Sequence, residues 1–141
     1  MLFRSSAILA IAPLARAGAI RTGTRVIIDS VSGVSGAGRS ATLKSLYCEV
    51  SLQAYGVLTH RHNPEIDAYS GARTLFTPHL GPFDRGILST IHIDVAAGWD
   101  ESRIRELYAA AYRDEPFVRA LKGAWPAIAD VRGTKIGRAH V

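Results

Sequence analysis

The sequence predicts an α+β fold, with a mixed, largely antiparallel sheet and helices on one face. Three observations predict it. Arg25–Asp29 is rich in β-branched residues and favours a strand. Gly86–Val95 alternates apolar and polar residues, the pattern of a half-buried antiparallel strand. The stretch after Asp100 has the apolar spacing of an amphipathic helix.

Length and composition indicate one globular domain with its own core. The chain has 141 residues, of which 48% are apolar and 21% charged. Its net charge is +5, but Arg and Lys are scattered among acids, so no nucleic-acid partner is predicted. Arginines near glycine turns fit a small phosphorylated substrate better. A single cysteine, Cys48, excludes an internal disulfide framework and a Cys-based zinc site.

The first element is predicted to be a core helix. Ser5 or Ser6 can cap it, it runs to about Ala17, and Gly18 suits its C-terminal end. This apolar N-terminus also imitates a signal peptide or a presequence. Arg16 interrupts the apolar run before about 20 residues, so no membrane span is predicted.

The strand Arg25–Asp29 is followed by a Gly/Ser loop, Ser32–Arg39. Residues 41–56 stay open between helix and strand, although their apolar residues recur at helical spacing. Tyr55–Thr59 is expected to be extended. A short helix is then predicted over Pro64–Tyr69, because Asn63 suits the N-cap and Pro64 the first helical position.

The second half of the chain predicts two more strands and a long helix. Arg73–Leu80 and Gly86–Val95 are expected to be strands joined by Gly81-Pro82. Asp100 should cap a helix that reaches about Arg113. Phe117–Leu121 is expected to be a last short strand. The two predicted faces of the second strand are Ile87, Ser89, Ile91 and Ile93 against Leu88, Thr90, His92 and Asp94.

The main chemical candidate is the segment His60-Arg61-His62-Asn63-Pro64-Glu65. His62 would lie just outside a helix N-terminus, close to Glu65, and could move protons near neutral pH. A solvated loop with two incidental histidines is the alternative that the local sequence leaves open. A metal site from His60, His62 and His79 is not predicted, since no carboxylate partner is evident.

Two other features are tempting but are interpreted structurally. Gly36–Ala41 matches the dinucleotide fingerprint G-x-G-x-x-A, yet no second strand–helix unit ending in an acid follows it. Its glycines are expected to allow close backbone approach to a ligand. Cys48 has apolar and acidic neighbours and is expected to be a buried structural cysteine.

Several motifs in series resemble the N-acetyl-gamma-glutamyl-phosphate reductases of arginine biosynthesis. They are SGVSGAGR from Ser32, HRHNPEI from His60, FTPHL from Phe76 and RGILST from Arg85, with further matches at 114–118 and 131–134. The resemblance runs from about Ser5 to Thr134. It implies a glyceraldehyde-phosphate-dehydrogenase-like C-terminal domain, the mixed-sheet fold shared with aspartate-semialdehyde dehydrogenases.

The resemblance also implies roles for individual residues. His62 and Glu65 would be catalytic, with His62 the acid/base partner of a cysteine that forms a thioester with the acyl phosphate. The substrate-binding candidates are His60, Arg85 and Arg39. The cofactor-binding candidates are Ser32, Gly33, Ser35 and Gly36. NADPH would supply the hydride and be bound mainly by a separate N-terminal domain.

The start of the chain departs from the family's pattern. The family's nucleophilic cysteine precedes an aromatic residue, a proline and a threonine. Phe3 matches the aromatic residue, so Leu2 stands in the cysteine's place, and the proline and threonine are absent as well. The chain alone is therefore expected to be inactive.

The resemblance implies a catalytic and dimerisation domain over residues 1–135, with the dinucleotide-binding domain missing. Residues 136–141 are expected to be a non-native tail, because Ile-Gly-Arg-Ala-His-Val matches the translation of a common sequencing adapter. The expected partners are a small acyl phosphate and further copies of the chain, as a dimer or tetramer in the cytoplasm. Two alternatives stay open: the paralogous aminoadipate-type reductase of lysine biosynthesis, and a non-catalytic binding or assembly module.

Overall fold

A computed structural model describes residues 3–37, 42–43, 46–134 and 137–139. Within them lie three α-helices and six strands. The helices are α1 (Phe3–Arg16), α2 (Asn63–Ser70) and α3 (Glu101–Ala111). The strands are β1 (Val26–Ser32), β2 (Gln53–Ala54), β3 (Thr74–Leu80), β4 (Ile87–His92), β5 (Val118–Ala120) and β6 (Gly137–Ala139).

The main sheet has the strand order β2-β3-β1-β4. β1 and β3 are parallel, from Val26 opposite Thr74 to Ser32 opposite Leu80. The two outer pairings, β1 with β4 and β3 with β2, are antiparallel. The predicted mixed, largely antiparallel α+β fold is confirmed. β3 and β4 are consecutive along the chain but do not pair, because β1 lies between them.

One face of the sheet carries the core. Phe76 of β3 and Ile28 of β1 are fully buried there against Ile11 of α1 and Ile66 of α2. α3 packs on α1, where Tyr108 is buried in a second cluster. The helices thus cover one face, as predicted. The inward face of β4, with the half-buried Ile87, Ser89 and Ile91, also agrees with the predicted alternation.

α1 and α2 lie side by side and point in the same direction. Arg4 forms an ion pair with Glu65 at their N-terminal ends. At their C-terminal ends, Ala15 lies beside Gly71, whose left-handed conformation (φ 74°) terminates α2 as predicted. Both helix N-termini therefore open at the same end of the sheet, beside the histidine segment.

Three local predictions were wrong. α1 already includes Phe3, so Ser5 and Ser6 lie inside the helix and do not cap it. The Ser6 hydroxyl instead lies 2.9 Å from that of Ser89, which ties α1 to β4. Residues 56–59 form a turn rather than extended chain, with Leu58 at φ 61°. α2 begins at Asn63, with His62 at the N-cap position.

The C-terminal half follows the predictions more closely. The Asp100 side chain accepts a hydrogen bond from the Arg103 backbone N–H at 2.9 Å and caps α3. The short strand β5 pairs in parallel with β6, which is formed by the backbone of 137–139. The expectation that 136–141 is a non-native tail stays a prediction. In the described part of the chain, no helix is long and apolar enough to cross a membrane.

Candidate active site

His60 and His62 pack together in the turn that leads into α2. Their ring centroids lie 4.7 Å apart in an edge-to-face arrangement. The His60 ring also meets Phe76 edge-on at 5.5 Å and Tyr55 at 5.7 Å. Because Phe76 is fully buried in the sheet, its contact fixes the position of the His60 ring. The His60 ring therefore packs against the sheet, and the His62 ring packs against His60.

A hydrogen bond from the backbone fixes the tautomer of the neutral His60 ring. Its Nδ1 accepts the backbone N–H of His62 at 3.2 Å. An accepting Nδ1 carries no proton, so the neutral ring has its proton on Nε2. The Nδ1 of His62 is buried and meets no hydrogen-bond partner among the described residues. Because this nitrogen is buried, His62 could exchange a proton with a substrate only through Nε2.

Burial, with the nearby arginines, favours neutral imidazoles in the pair, and Arg4 favours an ionised Glu65. Burial lowers the pKa of His62 below 6.5, the nearby Glu65 opposes that shift, and Arg61 and Arg4 reinforce it. Burial also lowers the pKa of His60, with His62 and Arg61 adding to the effect. The Arg4 guanidinium, which forms an ion pair with Glu65, lowers the pKa of the Glu65 carboxyl. A neutral imidazole beside two helix N-termini can act as a general base at neutral pH.

The Gly/Ser loop packs tightly on the connection between β3 and β4. The backbone N–H groups of Gly33 and Ser35 donate to the carbonyls of Gly86 and Asp84, both at 3.1 Å. A Cβ at Gly33 would lie 2.7 Å from the Phe83 carbonyl oxygen, so only glycine allows this approach. Ser35 and Gly36 are exposed on the 3-10 turn that follows, whereas Ser32 and Gly33 are buried.

The same end of the sheet carries the arginine candidate. Ser32, Leu80 and Ile87 are neighbours in the sheet, so the Gly/Ser loop and the loop containing Arg85 emerge together. Arg85 is exposed in that loop. An ion pair of 3.0 Å between Arg132 and Asp84 brings the segment 131–134 to the same place. Arg39 lies outside the described residues.

Two features were missed or misjudged from the sequence. Arg4 was not predicted to belong to the site, yet its Nη1 lies 2.6 Å from Glu65 Oε2. Its position at the start of α1, beside the place of the family's nucleophile, was the available signal. Cys48 is exposed and not buried, which corrects the prediction of a structural core cysteine. Its apolar neighbours mislead because Leu46 and Tyr47 are themselves exposed.

Metal binding finds no support in this geometry. Across the described ranges, no three His, Cys, Asp or Glu side chains are close enough to share a metal ion.

Comparison with known proteins identifies the class. Residues 3–141 match the family model of the semialdehyde dehydrogenase dimerisation domain, and the chain belongs to this family. A solved structure, a probable aspartate-semialdehyde dehydrogenase from Pseudomonas aeruginosa, has a TM-score of 0.70 over 97% of this chain and 49% of that one. Its sequence identity is 16%, so the likeness shows the fold.

More similar relatives carry a more specific name. The chain is 48% identical over 132 residues to the N-acetyl-gamma-glutamyl-phosphate reductase of Moritella profunda, covering 94% of this chain. It is 51% identical over 132 residues to the reductase of that name from Pseudoalteromonas atlantica. The matches span 39% and 38% of those relatives, so the chain corresponds to about two fifths of their length.

Proposed function

We propose that the chain provides the catalytic and dimerisation part of an NADPH-dependent N-acetyl-gamma-glutamyl-phosphate reductase in the cytoplasm. The observation that carries the proposal is the neutral His60–His62 pair at the α2 N-terminus, beside the N-terminus of α1. In the resembled family, that end of α1 carries the nucleophilic cysteine. The relatives that match at 48% and 51% identity bear the name of this reductase.

Within this reaction, once a cysteine stands in the place of Leu2, His62 would accept the proton of that attacking thiol and later return it. Its lowered pKa leaves it neutral and ready to do so at pH 7. The N-terminal ends of α1 and α2 supply positive partial charge that favours a thiolate and an anionic substrate. His60 holds the backbone of His62 and would face the substrate from the same turn.

The loops at the end of the sheet would bind the rest of the reactants. Arg85 is exposed beside the Gly/Ser loop and could clamp a phosphate or carboxylate. NADPH supplies the hydride when it is bound. Ser35 and Gly36 fit a contact with it because they are exposed. Ser32 and Gly33 would act indirectly, because they are buried and hold the turn against the β3–β4 connection.

A non-catalytic binding module is the second candidate, and one observation favours it. Leu2 stands where the family has its cysteine, and the only cysteine in the sequence is the exposed Cys48. A domain that kept the histidine pair but lost the thiol could still bind the acyl phosphate and assemble with other copies.

A chimera that restores the cysteine tests the reductase proposal. The matching segment of the Pseudoalteromonas atlantica reductase is replaced by residues 3–134 of this chain, so that the relative supplies the residues before Phe3 and its remaining length. We expect this chimera to restore growth without arginine to a bacterial strain that lacks the reductase. Failure of a folded, soluble chimera, when the intact relative succeeds, would reject the reductase proposal.

A further inference from the structure

Glu65 does not form the N-terminal capping contact that is common at its position in a helix. With His62 at the N-cap, Glu65 is the third residue of the helix. A glutamate at this position commonly reaches back to accept the N-cap backbone N–H, closing a capping box. Here that N–H donates to Nδ1 of His60. The Glu65 carboxylate turns to Arg4 of α1, with 2.6 Å between Nη1 and Oε2.

We infer that Arg4 is a positioning residue of this site: its ion pair ties the Glu65 carboxylate to α1 and withholds it from His62. The inference rests on the proposed function only in taking His62 as the acid/base group. The carboxylate has two competing partners, the guanidinium on α1 and the backbone and ring of His62. Arg4 decides between them.

The partner that Glu65 takes affects the protonation of His62, because several charges lie near that ring. Glu65 of α2 favours the imidazolium, whereas Arg61 in the preceding turn and Arg4 of α1 oppose it. The neighbouring His60 ring is itself neutral near pH 7, since its own pKa is lowered. Loss of Arg4 would remove one cation and release the Glu65 carboxylate from its ion pair. Both changes favour the protonated form of His62, which cannot act as a base.

A pH titration of the isotopically labelled full chain by NMR tests the inference without substrate or turnover, so its outcome is independent of the reductase proposal. The ring signals of His62, the side-chain carboxyl of Glu65 and the His62 backbone amide are followed together. Arg4→Gln is compared with Arg4→Lys, which keeps the charge. Arg61→Gln is the matched control, because it removes a cation near His62 but leaves the Arg4–Glu65 pair intact.

We expect Arg4→Gln to raise the pKa of both Glu65 and His62 and to shift the His62 amide, as the carboxylate turns back towards the helix N-terminus. Arg4→Lys should largely restore the parent values. Arg61→Gln should raise the pKa of His62 and leave the His62 amide in place. An unchanged Glu65 titration in Arg4→Gln, or an equal Glu65 shift in Arg61→Gln, would overturn the inference.

Glu65→Gln provides a second measurement if Arg4→Gln does not fold. Because His60 already accepts the His62 N–H, this variant should lower the pKa of His62 and leave the His62 amide signal in place. A large amide shift in Glu65→Gln would mean that the carboxylate caps His62 in solution, which contradicts the inference.

Discussion

At the scale of single residues, the site depends on two close contacts, one at His60 and one at Gly33. His60 is wedged against Phe76, and its Nδ1 holds the first backbone N–H of the next helix. Gly33 lets its strand end approach the backbone of Phe83 and Asp84 more closely than any Cβ would permit. The sequence indicated that these residues mattered. It did not indicate that Gly33 acts through backbone packing, because its partners lie about fifty positions away.

Replacing Gly33 by alanine should destabilise the fold. The added Cβ would lie 2.7 Å from the Phe83 carbonyl oxygen and 2.8 Å from that of Asp84, so the backbone must shift. We expect a loss of about 1–3 kcal/mol in the free energy of unfolding, the usual cost of overpacking, measured by urea denaturation. Gly123→Ala is the control, because its Cβ would meet no atom within 4 Å. Equal stability of the two variants would contradict this packing.

At the scale of elements, α1 contains a proline that removes a backbone hydrogen bond, and a tyrosine hydroxyl at the end of α3 replaces that bond. Pro13 has no N–H, so the carbonyl of Leu9 loses its helical hydrogen bond. The hydroxyl of Tyr112 donates to that carbonyl, and the hydroxyl of Tyr108 donates to the carbonyl of Ala10. Burial raises the pKa of both tyrosines, so they remain protonated donors at neutral pH. α3 thereby fixes the helix that carries Arg4 into the site.

Tyr112→Phe should leave the Leu9 carbonyl without this donor. We expect the free energy of unfolding to fall by about 0.5–1.5 kcal/mol, the net contribution of a hydrogen bond that water can partly replace, measured by urea denaturation. Tyr69→Phe is the matched control, since Tyr69 is 68% exposed on α2 and should change little. A Tyr112 variant as stable as the Tyr69 variant would show that Pro13 does not need this hydroxyl.

The elements also show where prediction from sequence ends. The alternation in β4, the cap at Asp100 and the stop at Gly71 are local signals, and each was predicted. The place of β1 between β3 and β4 is non-local and was not evident from the spacing of the two strands. The Arg4–Glu65 pair joins residues 61 positions apart on two helices, and no periodicity encodes it. His60, His62 and Glu65 were found because they share one local motif.

At the scale of the whole molecule, the sheet has one covered and one open face. The open face carries Ile27 and Leu88, which are 42% and 38% exposed, beside Val31 and Leu75. The outward positions between them are polar, so the face is mixed, and its exposed apolar residues are suited to an interface. The chain belongs to a family of dimerisation domains, so we propose that two copies associate through this face.

A charge on this face should prevent association. We expect the parent chain to sediment as an oligomer and Leu88→Glu to sediment as a monomer, because the carboxylate would be buried without a partner. Ala110→Glu, at an exposed position of α3, is the control and should leave the oligomer intact. Persistence of the oligomer in Leu88→Glu would assign the interface to another surface.

In the proposed reductase, His62 serves acyl-phosphate reduction as a neutral base. The most direct measurement is the pH dependence of kcat/KM for the chimera and its His62→Asn variant. We predict that the parent rate falls as pH drops through the lowered pKa of His62, and that the variant loses about 10²–10⁴ in rate together with this dependence. A His62→Asn variant with the parent's rate and pH profile would show that His62 is not the base.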